Sequence, residues 1–404
     1  MQRFDPLHPA VLRHPYPYYA YLRTHDPIHW GSAADAGAEG RWYVTRFADV
    51  AAILKEPRFG REVDKVLPPS ALTPLDPADQ PLRQMADWWM ILRDPPIHTR
   101  LRSVVQRAYT PRRIEALRPA ITATAHRLID VMLTHGPPLD LLQHFALPFS
   151  VQIVAHVLGL PVEDYPYLMP WSRALASVID LNQSEESRQR SRQTVAELTA
   201  YLDTMVDVRR HFPQDDLISA LLQLEGDHAL SDEELRGDIT ILLFAGNDPV
   251  MHQIGNGVMT LLQHPDQLAL LRNEPTLWEN AVDELLRYDS SVQMTFRYAL
   301  TEIEWAGKTL HTGDHVALVF GSANRDPALW PEPNRLDLTR PVSQTATFGF
   351  GPHYCLGAAL ARQEGRIALE ALWERLPTLA LATHQLEWQP TVAVRGVTHL
   401  PVIW

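Results

Sequence analysis

The hydrophobic pattern of this chain is helical over most of its length and turns strand-like only late. Apolar residues recur at three- and four-residue spacing in 17–24 and 47–55, on either side of a strand-like "RWYVTRF". The same spacing runs through 98–134, broken at Pro111 and near Pro119, and through 139–160, 163–180 and 184–211. It returns in 232–263, where Ser231 or Asp232 is the expected N-cap, and in 266–288. Residues 60–92 are Pro-rich and predict a long loop. Segments 296–305, 308–311 and 314–319 alternate as strands do. A loop-rich region, 322–354, then a helix over 356–375 and short terminal strands complete the pattern. The class is mostly α with small β-sheets.

One stretch breaks its own rule. In "ILLFAGNDPVMHQIGN" the apolar run stops at Ala245, and Gly246, Asn247, Asp248 and Pro249 follow before helix-compatible residues resume. Glycine weakens a helix interior, and proline lacks the N–H and crowds the preceding turn. The stretch is a helix end or an interruption within one long helix.

Charge and cysteine count narrow the function. The net charge of −12 argues against nucleic acid as the main partner, since phosphate binding needs a basic face. A single cysteine, Cys355, excludes an intrachain disulfide and any multi-cysteine metal site, and fits a reducing compartment. No apolar run has the length of a membrane span, so the expected protein is cytoplasmic and binds no membrane.

Cys355 lies in "FGFGPHYCLGAALARQEGRIALEAL", a Gly-rich loop leading into an amphipathic helix. The positive end of a helix dipole favours thiolate. Glycines let backbone N–H groups reach the sulfur and let a flat ligand lie close. An axial thiolate for haem iron needs these features. A buried inert thiol satisfies the same local pattern. A nucleophile paired with His353 lacks an evident orienting group.

The loop resembles the haem-binding loop of the cytochrome P450 (haem-thiolate monooxygenase) family, in which Phe, two Gly, a basic residue and Cys recur at these spacings. Further motifs follow in the family's order: "DPPIHTRLR", "AGNDP", "ELLR", "MTFRYA", "GSANRDP" and "PEPNRLD". The resemblance is to soluble bacterial members and runs from about residue 15 to the C-terminus. It implies one domain over 1–404, a triangular prism whose long central helix crosses a haem b. It implies that Cys355 is the axial iron ligand, with Phe348 beside the sulfur and Gly349 and Gly357 shaping the loop. His98, Arg102, Arg297 and His353 would hold the haem propionates, since buried carboxylates need cationic partners. Glu284, Arg287 and Arg335 would form a structural triad bracing the cysteine loop.

On the opposite haem face the family pattern is Ala/Gly–Gly–x–Asp/Glu–Thr. Here Ala245, Gly246, Asn247 and Asp248 fit it, and Pro249 stands where the threonine is expected. Proline leaves the Ala245 carbonyl without its helical N–H and so keeps the opening, but it donates no hydrogen bond. Asp248, Asn247 or a substrate hydroxyl would then relay protons. Pocket positions implied by the family are Trp89, Met90, Leu243, Phe244, Asn247, Val292, Met294, Thr295 and Val397. They suit a medium-sized, largely apolar substrate oxidised with O2.

Residues 93–113 hold six arginines against one acid, Asp94. The chain has no dinucleotide loop and no iron–sulfur cysteine cluster. Electrons would therefore come from a ferredoxin or flavodoxin with its reductase, docking near Arg100, Arg107, Arg112 and Arg113. The same-fold alternatives are oxidative coupling, desaturation and peroxide-dependent oxidation. A non-catalytic haem-binding module is the alternative of another class.

Overall fold

The computed structural model describes residues 4–31, 40–72, 76–171, 185–342 and 344–404. Helices dominate, as the pattern predicts. They include Tyr16–His25, Phe47–Ile53, Ile97–Ala108, Leu147–Leu158 and Glu185–His211. The predicted 163–180 helix lies partly outside the described residues.

Proline accounts for most boundary differences. Pro111 starts the Pro111–Ala116 helix, but Pro119 does not break its neighbourhood: it sits in the first turn of Arg118–His135, where its missing N–H would have had no partner. The predicted 266–288 helix is two, Pro265–Asn273 and Trp278–Tyr288, separated at Pro275. The predicted 60–92 loop contains a helix, Gln80–Ala86, with Pro81 again in the first turn.

Ten short strands are described: β1 (Ile28–Gly31), β2 (Arg41–Val44), β3 (Phe59–Gly60), β4 (Leu139–Asp140), β5 (Met294–Ala299), β6 (Ile303–Trp305), β7 (Lys308–Leu310), β8 (His315–Val319), β9 (Ala380–Leu381) and β10 (Pro401–Ile403). The largest sheet has the order β1-β2-β8-β5-β3; β4-β10-β9 and β6-β7 form two smaller ones. The predicted strand 296–305 divides into β5 and β6 around a turn.

The chain forms two compact units. One comprises Met1–Pro69, Ile129–Ala146 and Pro249–Trp404; the other comprises Ser70–Leu128 and Leu147–Asp248. The first holds all the strands. Its main sheet serves two cores because side chains alternate across it. Val44, Val316, Leu318 and Ala299 pack with Ile53 and Phe320. Tyr43, Met294, Ala317 and Val319 pack with Tyr16, Tyr19 and Leu22. The second unit is helical, and its Asp232–Ala245 helix is buried along most of its length. Ser231 caps that helix in a reciprocal pair with Glu234, as expected.

Candidate active site

The cysteine loop is fixed by backbone geometry. Gly349 and Gly351 have φ of 68° and 70°, a region side chains resist. A Cβ on Gly351 would also lie 2.6 Å from the Leu54 carbonyl oxygen. The Cys355 N–H donates to the Phe348 carbonyl at 2.8 Å, which folds the loop back on itself. Cys355 is half-buried and packs on Phe348, Val282, Leu286 and Ala358. The following helix, Ala358–Arg375, starts two residues later than expected, so Cys355 lies just outside its N-cap, Gly357. The Arg362 guanidinium lies 4.3 Å from the Phe348 ring centre and is anchored to Asp283 at 2.6 Å.

The buried charge cluster on Glu284 differs from the predicted triad in one member. Glu284 and Arg287 are fully buried and joined in two bonds, Nε–Oε2 at 2.6 Å and Nη2–Oε1 at 2.8 Å. The third guanidinium is that of Arg340, whose Nε is 3.2 Å from Glu284 Oε1. Arg335 is 60% exposed and pairs with Glu332; only its backbone carbonyl reaches Arg287. A turn places the later arginine inward and the earlier one in solvent. Asn324, from "GSANRDP", braces the segment before the cysteine loop. Its Nδ2 donates to Ser290 Oγ at 2.8 Å and Thr347 Oγ1 at 2.9 Å, and its Oδ1 accepts from the Ala346 N–H at 2.6 Å. It thereby holds the segment just before Phe348.

The interrupted stretch resolves into two helices, Asp232–Ala245 and Asp248–Gln263, joined by Gly246 and Asn247. Pro249 falls in the first turn of the second helix, where proline is tolerated. Gly246 is required for packing: a Cβ there would lie 2.3 Å from Val154 Cγ2. Asn247 is wholly buried, and its Nδ2 donates to the Leu243 carbonyl at 2.5 Å, closing the first helix.

The expected propionate ligands are placed in both units. His98 (2% exposed) and Arg102 lie one turn apart in the Ile97–Ala108 helix of the second unit. Arg297 (3% exposed) on β5 and His353 in the loop belong to the first. Among the docking arginines, Arg100 is ion-paired with Glu234, and Arg113 pairs with Asp215 at 3.1 Å. Arg107 and Arg112 are exposed.

The pocket candidates separate. Trp89 and Phe244 stack with parallel rings, centroids 6.2 Å apart, and Trp89 Nε1 donates to Thr240 Oγ1 at 2.9 Å. Met90 is buried in the adjoining turn. Leu243 is fully buried. Two positions from Ala245 on a helix means about 200° of rotation, so these two face opposite ways. Met294 belongs to the core with Tyr16 and Tyr19, whereas Thr295 lies on the other sheet face. Val292 bridges Val394, and Val397 bridges Trp388. Missed by sequence reasoning was Arg340, which lies outside any marked pattern; Asn324 and Arg362 lie inside the quoted "GSANRDP" and cysteine stretches, but no role was read for either, since their contacts are with distant residues.

Comparison with known proteins shows the family of the chain. The family model Cytochrome P450 matches residues 169–379. A "Biotin biosynthesis cytochrome P450" of Bacillus subtilis (strain 168) is 36% identical over 391 residues, 97% of this chain and 96% of that one. "Vitamin D(3) 25-hydroxylase" of Pseudonocardia autotrophica is 38% identical over 396 residues, 96% of this chain and 94% of that one. The crystal structure of CalO2 superposes with a TM-score of 0.90 at 35% identity, covering 100% of this chain and 99% of that one. P450BioI in complex with hexadec-9Z-enoic acid ligated acyl carrier protein gives a TM-score of 0.89 at 36% identity, covering 98% of this chain and 99% of that one. The chain belongs to the cytochrome P450 family. It is therefore a P450 monooxygenase, an oxidoreductase of the haem-thiolate type that works with O2, an organic substrate and redox partners. Its residues fit the group: one half-buried thiol is presented by a glycine-bounded loop. Among the described residues, no helix is long and apolar enough to cross a membrane.

Proposed function

We propose that this enzyme inserts oxygen into a medium-sized, largely apolar substrate of secondary metabolism, in the cytoplasm, using haem b and electrons from an external ferredoxin or flavodoxin. The observation that carries the reading is the Cys355 loop, folded back through the Cys355–Phe348 backbone bond and held at Ala346 and Thr347 by Asn324. Relatives support the substrate class. They include "Cytochrome P450 monooxygenase PikC" of Streptomyces venezuelae and "Mycinamicin IV hydroxylase/epoxidase" of Micromonospora griseorubida.

Bound haem supplies oxygen activation. In this reading Cys355 holds the iron, with Phe348 shielding its sulfur and Gly349 and Gly357 giving the flat ring room. His98, Arg102, Arg297 and His353 hold its two carboxylates. Ala245, Gly246, Asn247, Asp248 and Pro249 form the distal turn. Pro249 withholds an N–H from Ala245, and Asp248 moves the proton that a threonine hydroxyl would help deliver. Asn247 positions that turn through Leu243. Trp89, Met90 and Phe244 face the substrate from one element cluster of the second unit. The electron donor docks on the exposed Arg107 and Arg112, since Arg100 and Arg113 already have acidic partners.

The test is the absorption spectrum of the reduced, CO-bound protein. A thiolate-type red-shifted Soret band is expected, and Cys355→Ala abolishes it. A band that survives in that variant would overturn the ligand assignment.

A further inference from the structure

A cleft of about 630 Å³ opens within the helical unit. None of its lining residues belongs to the haem, distal or substrate sites proposed above. Its walls are the turn after the Ile97–Ala108 helix, the end of Leu147–Leu158 with the loop that follows, and the segment joining Glu185–His211 to Leu217–Leu222.

One corner of the cleft is fixed by buried charge. Arg209, 7% exposed, donates to the Asp216 carboxylate and to the Gly159 carbonyl. Asp216 Oδ1 also accepts from the Ser219 N–H at 2.7 Å, which caps the Leu217–Leu222 helix. Gly159 has φ of 80°, and a Cβ there would lie 2.2 Å from Asp216 Oδ2. At the rim, Arg113 Nη2 lies 3.1 Å from Asp215 Oδ1. Each arginine of the wall thus has its own aspartate. An anionic or cationic ligand would have to break one of these pairs, and a buried charge stripped of its partner is costly. A neutral ligand leaves both intact.

The remaining wall is largely apolar: Ile114, Leu117, Val157, Leu160 and Leu217. Val162 adds an apolar side to the opening, where it is 67% exposed. Tyr165 is half-buried in the lining, and its hydroxyl has no hydrogen-bond partner among the described residues. Burial raises its pKa, against the pull of Arg127, so the hydroxyl keeps its proton and is a donor.

We infer that this cleft is a second small-molecule site, separate from the haem cavity, for a neutral, ring-bearing organic compound whose carbonyl or hydroxyl oxygen accepts from Tyr165. Its volume falls in the range of about 300–1,000 Å³ typical of such sites, and apolar walls with a few polar anchors are their usual make-up. Tyr109, in the lining, is the C-cap of the helix that carries His98 and Arg102, so an occupant rests against the end of that helix. The inference does not depend on the reaction proposed above.

The experiment is equilibrium dialysis of the haem-loaded protein against 2-acetylnaphthalene, a neutral ketone, and against 2-ethylnaphthalene, which has the same shape without the carbonyl. The haem cavity is first saturated with 4-phenylimidazole, followed by haem absorption, and the reduced-CO band is read in every variant so that failure of the haem-thiolate assignment is seen separately. One equivalent of ketone is expected to bind with 4-phenylimidazole in place. Ala116→Trp, on an exposed part of the wall, is expected to abolish binding of both compounds. Tyr165→Phe is expected to weaken the ketone by about three- to tenfold, the worth of one hydrogen bond, and the hydrocarbon by less than about twofold. Loss of all ketone binding to 4-phenylimidazole, or full binding by Ala116→Trp, would overturn the site. Equal losses for both compounds in Tyr165→Phe, or tighter binding of 2-naphthoate than of the ketone, would overturn the ligand class.

Discussion

Arg340, and not Arg335, completes the carboxylate–guanidinium cluster on Glu284: its Nε lies 3.2 Å from Oε1, while the Arg335 side chain is 60% exposed. Glu284 has no contact with water, so each charge around it matters. Arg340→Ala should cost about 1–3 kcal/mol, since it removes one charged hydrogen bond from a buried acid. Arg335→Ala should stay within about 0.5 kcal/mol, as surface changes do. Arg287→Ala, which strips the buried acid of its main partner, should cost about 3–5 kcal/mol. Denaturant unfolding of the three variants orders them.

Gly351 and Gly357 make a second comparison. Gly351 has φ of 70° and the Leu54 carbonyl where a Cβ would sit, whereas a Cβ on Gly357 meets nothing within 4 Å. Gly351→Ala should therefore destabilise the loop by roughly 2–3 kcal/mol, with loss of retained haem. Gly357→Ala should unfold at nearly the wild-type denaturant midpoint. A reversed order in melting experiments would show that the loop is not held as described.

Asp238 sets a pH dependence. It is wholly buried in the Asp232–Ala245 helix, and neither carboxyl oxygen has a hydrogen-bond partner. Burial, then the Glu234 charge, raises its pKa well above the usual carboxylate range, against the pull of Arg100. The folded state thus holds a proton that the unfolded chain releases at lower pH. This contribution is full below the ordinary carboxylate pKa and is lost as pH rises toward the raised one. Asp238→Asn should gain stability over wild type progressively as pH rises above the ordinary carboxylate range in unfolding titrations. A difference that is flat with pH would show that Asp238 is ionised in the fold.

Pro249→Thr tests the distal turn. Proline is in the first turn of Asp248–Gln263, so its replacement should move stability by less than about 1 kcal/mol. Restoring a hydroxyl should instead raise the fraction of electrons recovered as product, with less peroxide released. Oxygen uptake, peroxide and product are measured together with a ferredoxin system. An unchanged ratio would make Pro249 purely structural.

Most of the fold was legible because helical and strand periodicities are local. The stretch 314–319 alternates, and β8 is His315–Val319; Ser231 was readable as a cap, and it caps. Boundaries at Pro119 and Pro275 were less readable, since proline both starts and ends helices, and only the completed hydrogen bonds tell which. The Cys355 loop was legible because its glycines and cysteine are contiguous. The distal stretch was legible as a defect but not as two helices with Asn247 closing the first.

The sequence by itself determined the class, the thiol-bearing loop and the break at Gly246–Pro249, because each is written within a few neighbouring residues. Only the tertiary structure decided that Arg340 takes the place expected of Arg335, that Met294 is core, and that Arg209 and Asp216 are buried together. Those facts depend on which way a side chain turns and on what residues hundreds of positions away leave beside it. Local chemistry does not encode that choice; packing, and the cost of burying a charge without a partner, does.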